Sequence, residues 1–152
     1  MAAEYSSNLI QTVEPNQAVI FTESPVPCRR GLIFHRDGSG IFRLGSLYAR
    51  NAWSVCCVPE TQFQVAFHAN IQIPAGGTVE EISLAIAIDG EVDPSSIMIA
   101  TPAAVEEMQN VGAEIIVSVP SICRCDTVTV RNTSTQSIDV QNANILFDVV
   151  RR

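Results

Sequence analysis

Lysine is missing from this chain of 152 residues. All nine basic groups are arginines (Arg29, Arg30, Arg36, Arg43, Arg50, Arg124, Arg131, Arg151 and Arg152), set against 16 acidic groups for a net charge of −7. Sequence-independent binding to nucleic acid rests on neutralising phosphates with basic side chains, so no nucleic-acid partner is expected. Charge of either sign is scarce: charged residues make up 16% and hydrophobic ones 47%, against a usual charged share of about a quarter. Disorder needs the opposite balance. A membrane span needs about 20 uninterrupted apolar residues, and runs such as Ile82 to Ile88 are far shorter. No membrane partner follows. What is left is one domain of ordinary size.

Histidine is nearly absent, with only His35 and His68, and this limits catalysis. Cys56 or Cys57 attacking with His68 as base is the one conceivable nucleophile pair, and no elbow or signature surrounds it. No enzymatic activity is expected. His35-Arg36-Asp37 resembles the kinase catalytic triplet, yet Phe42 stands where the metal-binding Asn belongs and no glycine-rich strand or Lys accompanies it. Gly38-Ser39-Gly40 lacks the phosphate-loop spacing and its Lys, so it is a turn. The five cysteines, Cys28, Cys56, Cys57, Cys123 and Cys125, contain no C-x-x-C knuckle, so no metal or cofactor is expected. Thiols acting as small hydrophobes are the expected form. Their odd number leaves at least one free or paired with another chain. Asp89-Gly90-Glu91-Val92-Asp93 has three carboxylates but not the calcium-loop pattern, and reads as an acidic hairpin. Asn132-Thr133-Ser134 fits a glycosylation acceptor only formally and reads as a turn. Residues 1 to 11 show no basic segment followed by an apolar core, so synthesis in a cytoplasm is expected.

What the chain does contain is β-pattern. From Phe63 the apolar residues Phe63, Val65, Phe67, Ala69, Ile71 and Ile73 alternate with Gln62, Gln64, Ala66, His68, Asn70 and Gln72, a long half-buried strand. Ile82 to Ile88 alternates large with small residues, so both of its faces are expected to be covered, and Asp89-Gly90 closes it as a hairpin. Further strands are expected at Ala18–Phe21, Gly31–Phe34, Ile41–Leu44, Ile97–Ala100, Ala113–Val119, Asp126–Arg131 and Ile138–Val150. Pro25 and Pro27 impose an extended edge or loop. Thr101-Pro102 followed by Glu106 and Glu107 is the one helix-start signal, enough for a turn or two. Short strands punctuated every 8–12 residues mean an all-β sandwich rather than a βαβ protein.

Several segments carry a family resemblance. Gln17 to Cys28, Arg30 to Gly40, Thr101 to Glu107, Val128 to Ser134 and Val140 to Asn144 resemble small structural proteins of gut Firmicutes and their phages, which in turn look like TNF/C1q-type jelly rolls. The resemblance implies a single-domain jelly-roll β-sandwich over residues 18–152, preceded by an N-terminal arm or first short strand over 1–17. It also implies a homo-oligomer, a trimer packed through one sheet. Its implied role is that of a structural virion protein, a capsid decoration or head-fibre subunit at the capsid surface, with the phage major capsid protein or other virion subunits as partners. The aromatic residues available along a trimer axis would be Phe63, Phe67 and Phe147, with Trp53 and Tyr48, shared with the core. The arm, with Leu9, Ile10 and Val13 as anchors, is expected to contact a neighbouring subunit or the capsid, and its removal to leave the fold intact. The alternatives are a bacterial surface or spore-appendage filament linked through cysteines, and a C1q-like glycan-binding adhesin.

Overall fold

The computed structural model describes residues 2–28, 31–45, 60–120 and 126–151, with the side chain of residue 151 left aside. Two antiparallel sheets face each other. The first contains β1 (Ala2–Ser7), β2 (Gln11–Val13), β3 (Glu23–Val26), β6 (Glu60–Gln72), β10 (Gln109–Pro120) and β12 (Ile138–Arg151), in the order β10-β6-β12-β1-β3 with β2 also on β12. The second contains β4 (Ile33–His35), β5 (Phe42–Leu44), β7 (Ile82–Ile88), β8 (Glu91–Val92), β9 (Met98–Ala100) and β11 (Asp126–Asn132), in the order β4-β5-β11-β7-β8 with β9 also on β7. Neighbours in the first sheet are distant in sequence, as in a jelly roll, while the second sheet also contains the β4–β5 and β7–β8 hairpins. The one helical element among the described residues is a 3-10 turn at Pro94–Ser96.

The strand β6 follows from its sequence directly. Period-two alternation places Phe63, Val65, Phe67, Ala69 and Ile71 between the sheets, all buried. On β12 the alternation changes phase partway along. Ile138 and Val140 point inward, and then Ala143, Ile145 and Phe147 do. One extra residue lies between Gln141, opposite Asn70, and Asn144, opposite His68, and Asn142 takes a φ of 54° there. This β-bulge flips the face and keeps both halves of the strand apolar side inward.

Aromatic rings fill one end of the core. Phe21 meets Phe42 edge-on at 5.2 Å and Phe67 at 6.3 Å, while Tyr5 packs on Phe42 at 4.9 Å and Phe147 at 6.1 Å. At Asp89-Gly90 both residues have positive φ, 52° and 86°, and the two-residue turn joins β7 to β8. Gly40 has a different role: a Cβ there would stand 2.6 Å from the Val19 carbonyl oxygen, so only glycine lets the β4–β5 loop approach the segment before β3.

Three expectations are narrowed or changed. Of the arm or first short strand expected over residues 1–17, the strand is what forms: β1 lies between β12 and β3 with Ala3 and Tyr5 in the core. The 101–107 segment forms turns rather than a helix: Glu106 takes a φ of 59° and its N–H donates to the Ile73 carbonyl at 2.8 Å, a long-range bond in place of a helical one. Ala18–Phe21 is held by two isolated bridges, to Arg131 and Ser39, rather than as a strand. The strand Ile82–Ile88 is covered on both faces within the single chain, with Ala85 at 0% and Ala87 at 1% exposure, so this cover needs no second subunit.

Candidate functional site

The two histidines have structural surroundings. His35 stacks on Phe42 with ring centres 4.2 Å apart and planes 14° from parallel. Its Nε2 lies 3.2 Å from the Ser39 carbonyl, which can only accept, so Nε2 carries the proton. Nδ1 is buried with no hydrogen-bond partner. Burial holds the imidazole below its ordinary pKa, opposed by the nearby Asp37 carboxylate. The Tyr5 hydroxyl beside it is pushed up by burial. This imidazole is a half-buried neutral ring packed against the aromatic cluster. His68 stands exposed on the outward face of β6, in the other sheet. Cys56, Cys57, Trp53, Tyr48, Cys123 and Cys125 lie outside the described residues.

The acidic hairpin holds itself. Asp89 Oδ1 accepts from the Thr127 N–H at 2.8 Å, and Asp93 Oδ1 accepts from the Ser95 N–H at 2.9 Å and its hydroxyl at 2.7 Å. No group of three His, Cys, Asp or Glu side chains able to hold a metal occurs among the described residues. Asn132 is fully buried: its amide donates to the carbonyls of Val13 and Gln136, each at 2.9 Å, and its Oδ1 accepts from the Ser134 N–H at 2.8 Å. No nitrogen remains for a glycan.

Four of the expected contact residues are unavailable to a partner. Val13, Phe63, Phe67 and Phe147 are 3%, 0%, 2% and 0% exposed and belong to the core of the single chain. The cause is parity: β6 turns its odd-numbered residues inward, and β12 does so after its bulge. Leu9 and Ile10, at 83% and 51%, stand exposed between β1 and β2.

The outward face of the first sheet is where the chain offers a surface. One row across the strands reads Glu114, Ala66, Leu146, Glu4, a second reads Ile116, Gln64, Asp148, Ala2, and a third reads Gly112, His68, Asn144, Ser6. Leu146, on the middle strand β12, and Ile116, on the end strand β10, are 41% and 54% exposed on it. The surrounding polar groups are already ordered. Gln64 donates to Glu114, Asn144 Nδ2 donates to Glu4 Oε1 at 2.6 Å, and Asn110 Nδ2 donates to Asn70 Oδ1 at 3.1 Å. No arginine stands in these three rows. At the margin, β9 and β10 neighbour each other across the open side of the sandwich, and Ile97 and Ile99 are exposed there. Leu146 and Ile116 were within reach of sequence reasoning: each is an apolar residue at an outward parity of a recognised strand.

The fold has solved counterparts. The globular domain of zebrafish complement 1qA protein matches with a TM-score of 0.63 at 13% identity, over 99% of this chain and 98% of that one. The Eiger TNF of S. frugiperda matches at 0.66 and 9% identity, over 100% and 94%. Murine APRIL matches at 0.60 and 8% identity, over 99% and 100%. No protein-family model and no curated protein matches the sequence. At these identities the likeness concerns architecture, and in architecture the chain is a jelly-roll β-sandwich of the TNF/C1q type.

Proposed function

We propose that the protein is a structural, non-enzymatic jelly-roll module that assembles as a homotrimer through the outward face of its first sheet, and that the trimer decorates a phage capsid. The observation that carries the assembly is the face itself: Leu146 and Ile116 lie exposed near Ala66, and the carboxylates of Glu114 and Glu4 each accept from a side-chain amide of the same face. Exposed apolar side chains among polar groups whose hydrogen bonds are already made form a surface that a neighbour can cover without leaving those groups unsatisfied. The apolar margin at Ile97 and Ile99 is a different patch. Packing it on a neighbour's face makes a head-to-tail contact, which closes into a ring when the rotation is right. The implied trimer packed through one sheet agrees with such a contact.

The virion role rests on the resemblance of the five sequence segments. With the fold, it makes capsid surface or head fibre the place of work and the major capsid protein the partner. Light scattering at micromolar concentration should return three times the chain mass of 16.4 kDa; a stable monomer sinks the assembly. Heads of the phage whose genome encodes the chain, purified without it, should carry it down on sedimentation. Failure to co-sediment removes the capsid role while leaving the trimer standing. Electrophoretic ladders that collapse on reduction would instead support the cysteine-linked filament.

A further inference from the structure

We propose that the β4–β5 hairpin carries a docking site for an acidic, apolar, extended peptide segment of a partner protein, formed by Phe34, Arg36, Ile41 and Arg43. The site lies on the second sheet, away from the proposed subunit face, and does not depend on how copies of the chain assemble. Phe34 and Arg43 are cross-strand neighbours on the outward side of the hairpin. Arg36 directly follows β4 and Ile41 directly precedes β5. All four line one open depression of about 580 Å³, with His35 and Ser39 among the other lining residues.

Burial and charge both mark the patch. Phe34 is 58% exposed and Ile41 50%, although the other described phenylalanines are in the core. Arg36 and Arg43 are exposed, and neither guanidinium has a hydrogen bond or an ion pair among the described residues. In a chain with 16 carboxylates this is a departure from what charge pairing would bring about. The carboxylate of the connecting loop, Asp37, is turned to Ser24, whose hydroxyl donates to it at 3.0 Å. Two unpaired guanidinia and two exposed apolar side chains thus share one surface.

The chemistry of that combination selects the partner. Arginine binds carboxylates through paired N–H donors, and arginine with aromatic side chains is enriched where interfaces gain their affinity. A ligand that uses all four side chains needs carboxylates beside an apolar side chain, which a peptide supplies. A phosphate polymer would pair with the guanidinia and leave Phe34 and Ile41 idle. Among the described residues β4 pairs only with β5, at the end of its sheet. An extended segment alternating acidic and apolar residues can therefore lie along it.

The test is a random octapeptide display library panned on the whole protein and counter-selected on the R36E/R43E variant, with the best peptide remade and measured by fluorescence anisotropy. Enriched peptides should combine Asp or Glu with apolar residues. The remade peptide should bind R36E/R43E at least about tenfold more weakly and should also weaken on Phe34→Ser, as truncating an interface anchor does. Its affinity should fall several-fold between about 50 and 300 mM salt. All three substituted side chains are exposed, so unchanged circular dichroism is expected and serves as the folding check. The proposal is overturned if nothing is enriched, if the enriched peptides show no acidic excess, or if R36E/R43E binds the peptide equally well. It is also overturned if pyrophosphate or a short DNA strand displaces the peptide at the peptide's own concentration, which would make the patch a general anion site.

Discussion

At the scale of single residues, the side chains with chemical potential are mostly engaged in holding the sandwich together. Asn132 is the clearest case, since its amide joins the turn before β12 to Val13 of β2 and to Gln136. Asn132→Ala leaves two buried carbonyls and the Ser134 N–H without a partner, a loss of about 3 kcal/mol or more. The thermal midpoint should drop by roughly 10 °C. His35 makes a second case through pH. Its folded pKa lies below the ordinary value of 6.5 because burial disfavours the imidazolium. The unfolded chain therefore takes up the proton first as pH falls. The stabilisation is whole above pH 6.5 and is lost as pH drops through the window between 6.5 and the lower folded pKa. The urea midpoint should fall between about pH 7 and 5.5, before the carboxylates titrate, and His35→Phe, which keeps a ring on Phe42, should flatten that slope. An unchanged slope in His35→Phe would refute this account of the imidazole. Neither role could be read from the sequence: Asn132 depends on Val13, far along the chain, and His35 is packed by Tyr5 and Phe21 as well as by its near neighbour Phe42. Asn132-Thr133-Ser134 looks like any polar turn until Val13 is brought beside it.

At the scale of elements, legibility followed length and period. β6 and β7 were legible because period-two alternation over 13 and seven residues admits one reading. β2 was not, since three residues carry too little pattern, and β3 was legible only as an extended edge or loop, of which the edge strand, where proline is tolerated, is what forms. The 101–107 segment shows how local signals lose. Proline and glutamates suited a helix start, but the Glu106 N–H is taken by Ile73. The N-terminal segment matters most for experiment. β1 pairs with β12 over six positions and contributes Tyr5 to the aromatic cluster. Removing residues 1–8 should abolish cooperative unfolding in urea altogether. The double substitution of Leu9→Ser and Ile10→Ser, both exposed, should leave the midpoint within about 0.5 kcal/mol of the parent. A truncated chain that still unfolds cooperatively would return the segment to the status of an arm.

At the scale of the whole molecule, the exposed apolar surface has a location. The second, small-residue face of β7 is closed within the chain, so the surface left for a neighbour is the outward face of the first sheet. Ala66 stands at its centre, between Glu114 on β10 and Leu146 on β12. Ala66→Arg gives the single chain a cation beside Glu114, so its fold should persist with unchanged circular dichroism. The same side chain places bulk and charge in the middle of the proposed contact. Light scattering should then fall from the trimer to the 16.4 kDa chain. A trimer that survives Ala66→Arg places the contact elsewhere. Salt supplies an independent check through its sign. Each copy carries a net charge of −7, and the central rows of the face bear Glu4 and Glu114 with no arginine among them. Copies approaching through that face repel one another electrostatically, while apolar contact draws them together. Raising ionic strength to about 0.3 M shortens the reach of that repulsion below 10 Å, so the trimer should persist to lower protein concentration as salt rises. The β4–β5 patch should respond in the opposite direction, because its guanidinia attract their ligand. Opposite salt dependence of self-association and peptide binding in one protein would separate the two surfaces without any substitution.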